Sequence, residues 1–254
     1  TLSRLHLAAS KWFEEQSLPT EAIHHGLQAG SIERVVSIVE KFRIPFLNID
    51  RWTDFWKWLE MIPEDYFNAR AELMIVKVWV RYIQFDYPAM FSHLQQIQST
   101  LGEDNPDHPI WGEVHFFNGY FVFWQGMIPE TLQLNELASS AFDKRFDRLA
   151  GELKLQYAIC QHMVGETQKG LSFLDGVLAT ESSLAPIYEI RVVAGFAYIN
   201  VLSGDLEKAI VGATKLSELG SKYRDSFART WGDYLLGLIN TYRLDFKKAE
   251  EVLV

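Results

Sequence analysis

Apolar side chains recur at intervals of three and four residues along most of the chain, and short polar breaks divide this pattern into segments. The clearest case is an apolar segment from Pro186 to Leu202, a break at Ser203-Gly204-Asp205, and a second segment from Leu206 to Leu219. This spacing places the apolar side chains on one face of a helix, and Gly and Asp favour a tight turn. The stretch therefore predicts two antiparallel helices joined by a tight turn.

The same pattern recurs at a nearly fixed interval. Its turn positions are separated by 41, 39, 39 and 40 residues, and they are Asp86, Met127, Glu166, Asp205 and Asp245. Four residues after each turn stand Met90, Thr131 (in a looser copy), Gly170, Ala209 and Ala249. Twelve residues before those positions stand Val78, Gly119, Ala158, Ala197 and Gly237. Small residues at fixed places allow paired helices to approach closely, and such a period predicts a solenoid of stacked helical hairpins.

We therefore predict an all-α fold: a right-handed superhelix (α-solenoid) of antiparallel helix pairs, tetratricopeptide-like, preceded by a short-helix arm. The expected domains are an arm or linker module over residues 1–66 and a sensor solenoid over residues 67–254. Helices are predicted at 1–16, 20–29, 31–42, 50–61, 69–85, 88–101, 109–126, 129–142, 146–164, 167–180, 184–203, 206–220, 224–243 and 246–254.

Two local signals compete with this assignment. Pro45 follows the third helix and is expected to close that section of the chain. Asn118-Gly119 and Asp175-Gly176 are dipeptides typical of hairpin turns. A turn at either of them would destroy the register of the repeat, so both are expected to lie inside helices.

Composition narrows the possible functions. The chain has 254 residues, 48% of them hydrophobic, and a formal net charge of −9. The negative charge argues against nucleic-acid binding, because binding to phosphates needs clustered Lys and Arg. Its apolar runs are shorter than the ~20 residues of a membrane span. A single cysteine, Cys160, excludes an internal disulfide and suits a reducing cytoplasm. Because the chain starts and stops within helical patterns, we expect a fragment of a larger protein at both ends.

Two sets of motifs in the first 101 residues are typical of one regulator family. The first set is Leu5-His6 with Ala8-Ala9, Trp12-Phe13-Glu14-Glu15, Glu21-Ala22-Ile23-His24-His25, and Ala29-Gly30 with Glu33-Arg34. The second is Leu59-Glu60-Met61-Ile62-Pro63-Glu64 followed by Ala69-Arg70-Ala71-Glu72-Leu73. These motifs resemble the helical arm and the entry to the sensor domain of the large ATP-binding LuxR-family transcription activators, the group of the maltose-regulon activator type.

The resemblance implies modules that this chain does not contain. An ATPase module that binds ATP would lie upstream, and a helix-turn-helix DNA-binding module would lie downstream. The superhelical sensor of that family receives an inducer and favours an ATP-bound, self-associating state. No Gly-rich phosphate loop and no basic recognition helix is present in this sequence. We therefore expect no cofactor in this segment, no nucleic acid bound by it, and no membrane partner.

Reactive side chains give no catalytic or metal site. His24 and His25 are adjacent, so their rings would point about 100° apart on a helix, whereas a helical zinc pair needs an i, i+4 spacing. His108 and His115 lie about two turns apart on one face, where structural or surface roles are favoured. Cys160 and His162 fall on different helix faces, so a Cys/His nucleophile is not expected. No enzyme activity is expected.

The repeat instead indicates where a binding site could lie. The first helix of each pair lines the concave face of such a solenoid, so residues on these helices are the candidates. The candidate effector-binding residues on this face are Trp79, Tyr82, Glu113, Tyr120, Trp124, His162, Arg191, Tyr198, Trp231 and Tyr242. Apolar walls with a few polar groups are typical of small-molecule sites. Each aromatic residue has an alternative role in packing between helices, and Arg191 has one as the ion-pair partner of Glu152.

Three functions remain open from the sequence. The first is an effector-sensing segment of a LuxR-type activator that binds a small-molecule inducer and relays binding to the ATPase and DNA-binding modules. The second is a tetratricopeptide-like protein–protein interaction scaffold. The third is an all-helical glycoside hydrolase, which needs two carboxylates across a cleft. The successive Glu72, Glu113 and Glu152 would form a stripe along one wall, which argues against the third function. Only Arg191 is basic among the predicted inward positions, which favours an apolar or neutral ligand and so the first function over the second.

Overall fold

The computed structural model describes residues 2–68, 70–102, 105, 107–180 and 185–253. Across these residues the structure contains fifteen α-helices and no strand. Helices that are neighbours in sequence pack against each other, as α6 packs on α7 and α13 on α14. The predicted all-α class is therefore confirmed, and the paired packing is consistent with an α-solenoid.

The helices follow the sequence pattern closely. Their bounds are α1 Leu2–Glu15, α2 Pro19–Gln28, α3 Ile32–Leu47, α4 Trp52–Met61, α5 Glu64–Asn68, α6 Ala71–Ile83, α7 Tyr87–Leu101, α8 Ile110–Trp124, α9 Ile128–Ala141, α10 Asp147–Met163, α11 Thr167–Thr180, α12 Pro186–Ser203, α13 Leu206–Tyr223, α14 Ser226–Tyr242 and α15 Phe246–Leu253.

The chain divides into two compact units. The first unit comprises residues 1–117 and 141–146, and the second comprises residues 118–140 and 147–254. The predicted boundary between arm and sensor, at residues 66 and 67, falls inside the first unit and within α5. That domain division stays a prediction.

Capping residues explain why the turns fall where the repeat places them. The Asp205 side chain accepts a hydrogen bond from the backbone N–H of Lys208 at the start of α13. Asp86 does the same for the N–H of Ala89 at the start of α7. An acidic cap satisfies a free N–H group of the first helical turn. Gly204, with φ of 80°, provides the left-handed backbone that ends α12.

In two of the pairs, the residues at the two fixed positions of the repeat face each other. A Cβ atom added to Gly170 would lie 2.7 Å from the carbonyl oxygen of Ala158. In the looser copy, the Thr131 hydroxyl lies 3.4 Å from the carbonyl oxygen of Gly119 and donates a hydrogen bond to it. Larger side chains at these positions would force the paired helices apart.

One expected boundary was wrong. Pro45 does not close the section, because α3 continues through it to Leu47. A proline inside a helix costs about 3 kcal/mol. The residues around it are buried: Ile44, Phe46 and Leu47 are all at most 6% exposed. Burial of each such side chain contributes about 1.5–3 kcal/mol, so their packing offsets the cost of the proline.

Candidate functional site

The ten predicted site residues fall in both units. Trp79, Tyr82 and Glu113 lie in the first unit, and the other seven lie in the second. Two groups of them are brought together, one in each unit, and the environments of these groups differ strongly.

The first group is buried. The Glu113 carboxylate accepts hydrogen bonds from the indole N–H of Trp79 at 2.5 Å and from the Arg43 guanidinium at 2.9 Å. Trp79 and Glu113 are 1% and 2% exposed. The Tyr82 ring packs edge-on to Trp79, with 5.8 Å between the ring centroids. The Arg43 charge compensates the buried carboxylate, so Trp79 and Glu113 contact protein groups here, and their role in effector binding stays a prediction.

The second group lies on α12 and α14 and is partly exposed. We call it the α14 aromatic cluster, and it consists of Arg191, Tyr198, Phe227, Trp231 and Tyr234. The rings of Phe227 and Trp231 are nearly parallel, with an interplanar angle of 8°. Trp231 and Tyr234 are also stacked, with centroids 5.2 Å apart, and Tyr198 is tilted against Trp231 at 6.1 Å. Three predicted site residues therefore meet in one place.

A buried ion pair supports this cluster. The Arg191 Nε lies 3.2 Å from a carboxylate oxygen of Glu152 on α10, and both side chains are at most 5% exposed. The Arg191 guanidinium also lies over the Phe227 ring, 4.5 Å from its centroid. A cation over an aromatic face is attracted to the ring electrons. Arg191 thus connects the aromatic cluster on α14 to the carboxylate on α10.

A polar pair lies on a different face of α14 from the cluster. Asp233 accepts a hydrogen bond from the Ser217 hydroxyl at 2.7 Å, and the Arg229 guanidinium lies 3.8 Å from its carboxylate. Phe227 and Tyr234 are 39% and 46% exposed. The cluster is therefore a partly exposed aromatic surface.

The remaining predicted residues lie toward the C-terminal ends of their helices. Trp124 ends α8, and Tyr120 lies one turn before it, with the two rings at 75° to each other. The His162 Nδ1, near the end of α10, lies 3.0 Å from the Thr167 hydroxyl. Tyr242 is the last residue of α14 and is exposed. Their effector-binding role stays a prediction.

Two members of the cluster were missed from the sequence. Phe227 and Tyr234 lie four residues before and three residues after Trp231, so the three rings share one face of α14. The repeat compares equivalent positions in different hairpins, and of these two residues only Tyr234 has an aromatic counterpart there, Phe116. The aromatic spacing along α14 itself was the signal that would have found them.

The potentially reactive groups of the described residues are engaged in structural contacts. Burial raises the pKa of the Cys160 thiol to about 12, so it is not a thiolate near neutral pH. Glu72 lies 3.3 Å from the His108 ring, and Glu113 and Glu152 are paired with arginines. Within the described residues, no group of three or more His, Cys, Asp or Glu side chains is arranged to hold a metal ion.

Two adjacent histidines have separate surroundings. His25 meets the His6 ring, with 2.8 Å between their Nδ1 atoms, and stacks on Phe13. His24 instead lines a cavity of about 240 Å³ that includes Gln28 and Tyr66. None of the helices in the described part of the chain has the length and apolar character to cross a membrane.

The fold and the cluster define an all-helical protein of paired helices with an aromatic surface on one unit. No family model matches the chain. Over 102 residues it is 28% identical to the serine/threonine-protein kinase PknK of Mycobacterium tuberculosis strains CDC 1551 and H37Rv and of Mycobacterium bovis. The match covers 40% of this chain and 9% of the relative, so the chain spans a small part of the relatives that it matches.

Proposed function

We propose that this chain is the effector-sensing, regulatory segment of a larger cytoplasmic protein, an ATP-dependent transcription activator of the LuxR type. A small-molecule inducer binds its tetratricopeptide-like helices, and binding is relayed to ATPase and helix-turn-helix modules outside this chain. Three observations support the proposal: the motifs within residues 1–101, the paired helices, and the similarity to a 9% portion of a much longer kinase. The segment itself has no catalytic role.

The α14 aromatic cluster is the observation that carries the proposal. Its exposed rings offer flat apolar surface, and Tyr198 and Tyr234 of the cluster carry phenol hydroxyls, polar groups of the kind that orient a ligand. Small-molecule sites combine apolar walls with a few such groups. The only basic side chain inside the cluster, Arg191, is already paired with Glu152. We therefore expect a neutral effector with a flat or cyclic framework rather than an anion.

The ion pair suggests how binding would be relayed. Arg191 on α12 contacts both Phe227 on α14 and Glu152 on α10. An effector that packs on the cluster favours whichever arrangement of these three helices fits it best. A ligand shifts a conformational equilibrium only by its difference in affinity between two states. The relay therefore requires that α14 pack differently on α12 in the resting and active proteins.

Thermal denaturation with a ligand panel tests the proposal. The whole chain is heated with sugars, aromatic compounds and short alkanes, and hits are confirmed by calorimetry. We expect one class to raise the melting temperature of the wild type but not of Trp231→Ala or Tyr234→Ala. Phe85→Ala, which removes an exposed aromatic side chain of the first unit, is the control and should keep the response. A failure across the panel, or a response retained by both cluster variants, contradicts the proposal.

A tetratricopeptide-like interaction scaffold is the second candidate, and a separate observation favours it. Several turns of the second unit expose large apolar side chains, among them Trp124, Met163 and Leu244. Exposed apolar surface of this kind is one mark of protein–protein interaction sites. A stoichiometric protein partner, with no response in the ligand panel, would favour this function over the first.

A further inference from the structure

Large apolar side chains project from the turns of the second unit, where polar residues are the rule. We call this feature the turn edge and define it by six residues. They are Trp124, Met163, Leu202, Tyr242, Leu244 and Phe246, and they range from 45% to 74% exposed. Single exposed apolar residues are ordinary, but a concentration of them at successive turns marks an interaction surface.

Four of these residues occupy the same position of the repeat. Trp124, Met163, Leu202 and Tyr242 are separated by 39, 39 and 40 residues. Each lies in the last turn of the first helix of its pair, on α8, α10, α12 and α14. A large apolar side chain thus recurs at one exposed position in four hairpins. The packing of those hairpins does not explain this recurrence.

The fold turns this periodicity into a row. Helix α10 packs on α12, and α12 packs on α14. Packed helices lie about 8–10 Å apart, so Met163, Leu202 and Tyr242 follow one another at roughly that interval. Leu202 and Tyr242 also line one open cavity of about 430 Å³, together with Val201, Ser203, Gly204 and Leu206. The cavity gives the row a recess for a partner's side chain.

The charged side chains that follow Leu202 and Tyr242 are paired with one another. Lys208 lies 2.9 Å from Asp205, and Lys248 lies 2.8 Å from Asp245. Arg243 is likewise 3.2 Å from Glu207. An anionic membrane or a nucleic acid would need unpaired Lys and Arg, which this pairing does not provide. The complementary partner surface is therefore apolar and close to neutral.

The spacing of Met163, Leu202 and Tyr242 indicates which secondary structure of a partner would match them. Residues seven apart on an α-helix are about 10.5 Å apart and share one face. This interval is close to the ~8–10 Å spacing of neighbouring packed helices. We propose that the turn edge binds an amphipathic helix of a partner protein, with apolar side chains at seven-residue intervals and a neutral flank. The turn edge shares no residue with the α14 aromatic cluster, although Trp124 and Tyr242 are also predicted effector-binding residues. This inference rests on the second candidate function, the interaction scaffold, and not on the sensing function.

Selection from a displayed peptide library tests the proposal, with the whole chain as bait. We expect enriched peptides to carry apolar residues seven apart. They should bind a chain that lacks one central turn-edge side chain at least about tenfold more weakly than they bind the wild-type chain. Leu202→Asp and Tyr242→Asp are the edge variants, and Val211→Asp, at a position 66% exposed on α13, is the matched control. Circular dichroism checks that all three variants remain folded.

The outcomes separate the possible occupants. Peptides without that spacing, or peptides that bind the edge variants as tightly as the control, overturn the proposal. Concentration-dependent self-association that is abolished by Leu202→Asp would assign the edge to a second copy of the chain instead. Cosedimentation with phosphatidylserine vesicles that is lost in high salt would assign it to a membrane. Selected peptides whose binding is insensitive to salt support an apolar helix.

Discussion

The carboxylate of Glu152 on α10 lies 3.2 Å from the guanidinium Nε of Arg191 on α12, and both side chains are buried. The sequence places these residues at the same position of successive repeats, and a surface pair at that place would stabilise the fold little. Burial changes this conclusion, because a charge that loses its partner inside a protein keeps its desolvation penalty.

Glu152→Gln therefore destabilises the chain by about 3–5 kcal/mol, since it leaves the Arg191 charge buried without a compensating carboxylate. Urea denaturation followed by circular dichroism measures this loss. Glu251→Gln, which breaks the exposed pair with Lys247 at 3.9 Å, is the control and should change stability by less than about 0.5 kcal/mol. Equal effects of the two variants would refute a structural role for the buried pair.

The repeat predicted much of the helical structure correctly. It placed a helix over residues 146–164, and the structure has α10 at Asp147–Met163. It also required Asn118-Gly119 and Asp175-Gly176 to be helical against their local preference, and both lie inside helices. Five copies of one pattern outweigh a single dipeptide, because packing against neighbouring helices stabilises a helix more than propensity does.

Tertiary neighbours explain what the sequence did not reveal. Periodicity identifies the face of a helix on which Glu113 lies, but not which other element covers that face. Arg43, which pairs with Glu113, is 70 residues away in the sequence. The same limit applies to Pro45, whose position inside α3 depends on the burial of its neighbours. Phe227 and Tyr234 were missed because the repeat compares equivalent positions in different hairpins and not the aromatic spacing along one helix.

The close contact between Gly170 and Ala158 makes the small residues of the repeat testable. Gly170→Ala places a methyl group 2.7 Å from the carbonyl oxygen of Ala158. Such overpacking costs about 1–3 kcal/mol, more than the ~1 kcal/mol that alanine contributes to helix propensity, so the variant is less stable. Urea denaturation measures the difference from the wild type.

Gly176 on the same helix provides a matched control of opposite sign. A Cβ atom added there meets nothing within 4 Å. Gly176→Ala therefore gains helix propensity without a clash and stabilises the chain by up to about 1 kcal/mol. If both alanine variants were equally stabilising, the small residue at position 170 would not be needed for helix packing.

The Cys160 thiol should be unreactive in the folded chain, because it is fully buried and burial raises its pKa to about 12. Labelling with Ellman's reagent near pH 8 should be slow in buffer and fast in urea, since the thiolate is the reacting species. Ser221→Cys introduces an exposed thiol on α13 and should label quickly in the native state. Rapid stoichiometric labelling of native wild type would contradict the burial of Cys160.

The contact between His6 and His25 makes stability depend on pH. Their Nδ1 atoms are 2.8 Å apart, so at least one of these nitrogens must be unprotonated to accept the hydrogen bond. Burial lowers the pKa of His25 below its ordinary value of 6.5, and the nearby His6 and His24 lower it further. The unfolded chain therefore binds a proton at a higher pH than the folded chain does.

Stability falls as the pH falls, because the pKa of His25 is lower in the folded chain than in the unfolded chain. Above the ordinary pKa of 6.5, His25 is neutral in both states and its contribution to stability is fully present. As the pH falls through the lower folded pKa, that contribution is lost, because the unfolded state has bound the extra proton. The partly buried His93 and His115 have lowered pKa values too, so they give the wild type a residual slope of the same sign.

Comparison of variants isolates His25 from these other groups. The free energy of unfolding, measured in urea between about pH 8 and pH 5, should fall more steeply for the wild type than for His25→Gln. His24→Gln alters an exposed ring on the same helix and should keep most of the wild-type slope. Parallel curves for wild type and His25→Gln would mean that the His6–His25 contact does not couple protonation to folding.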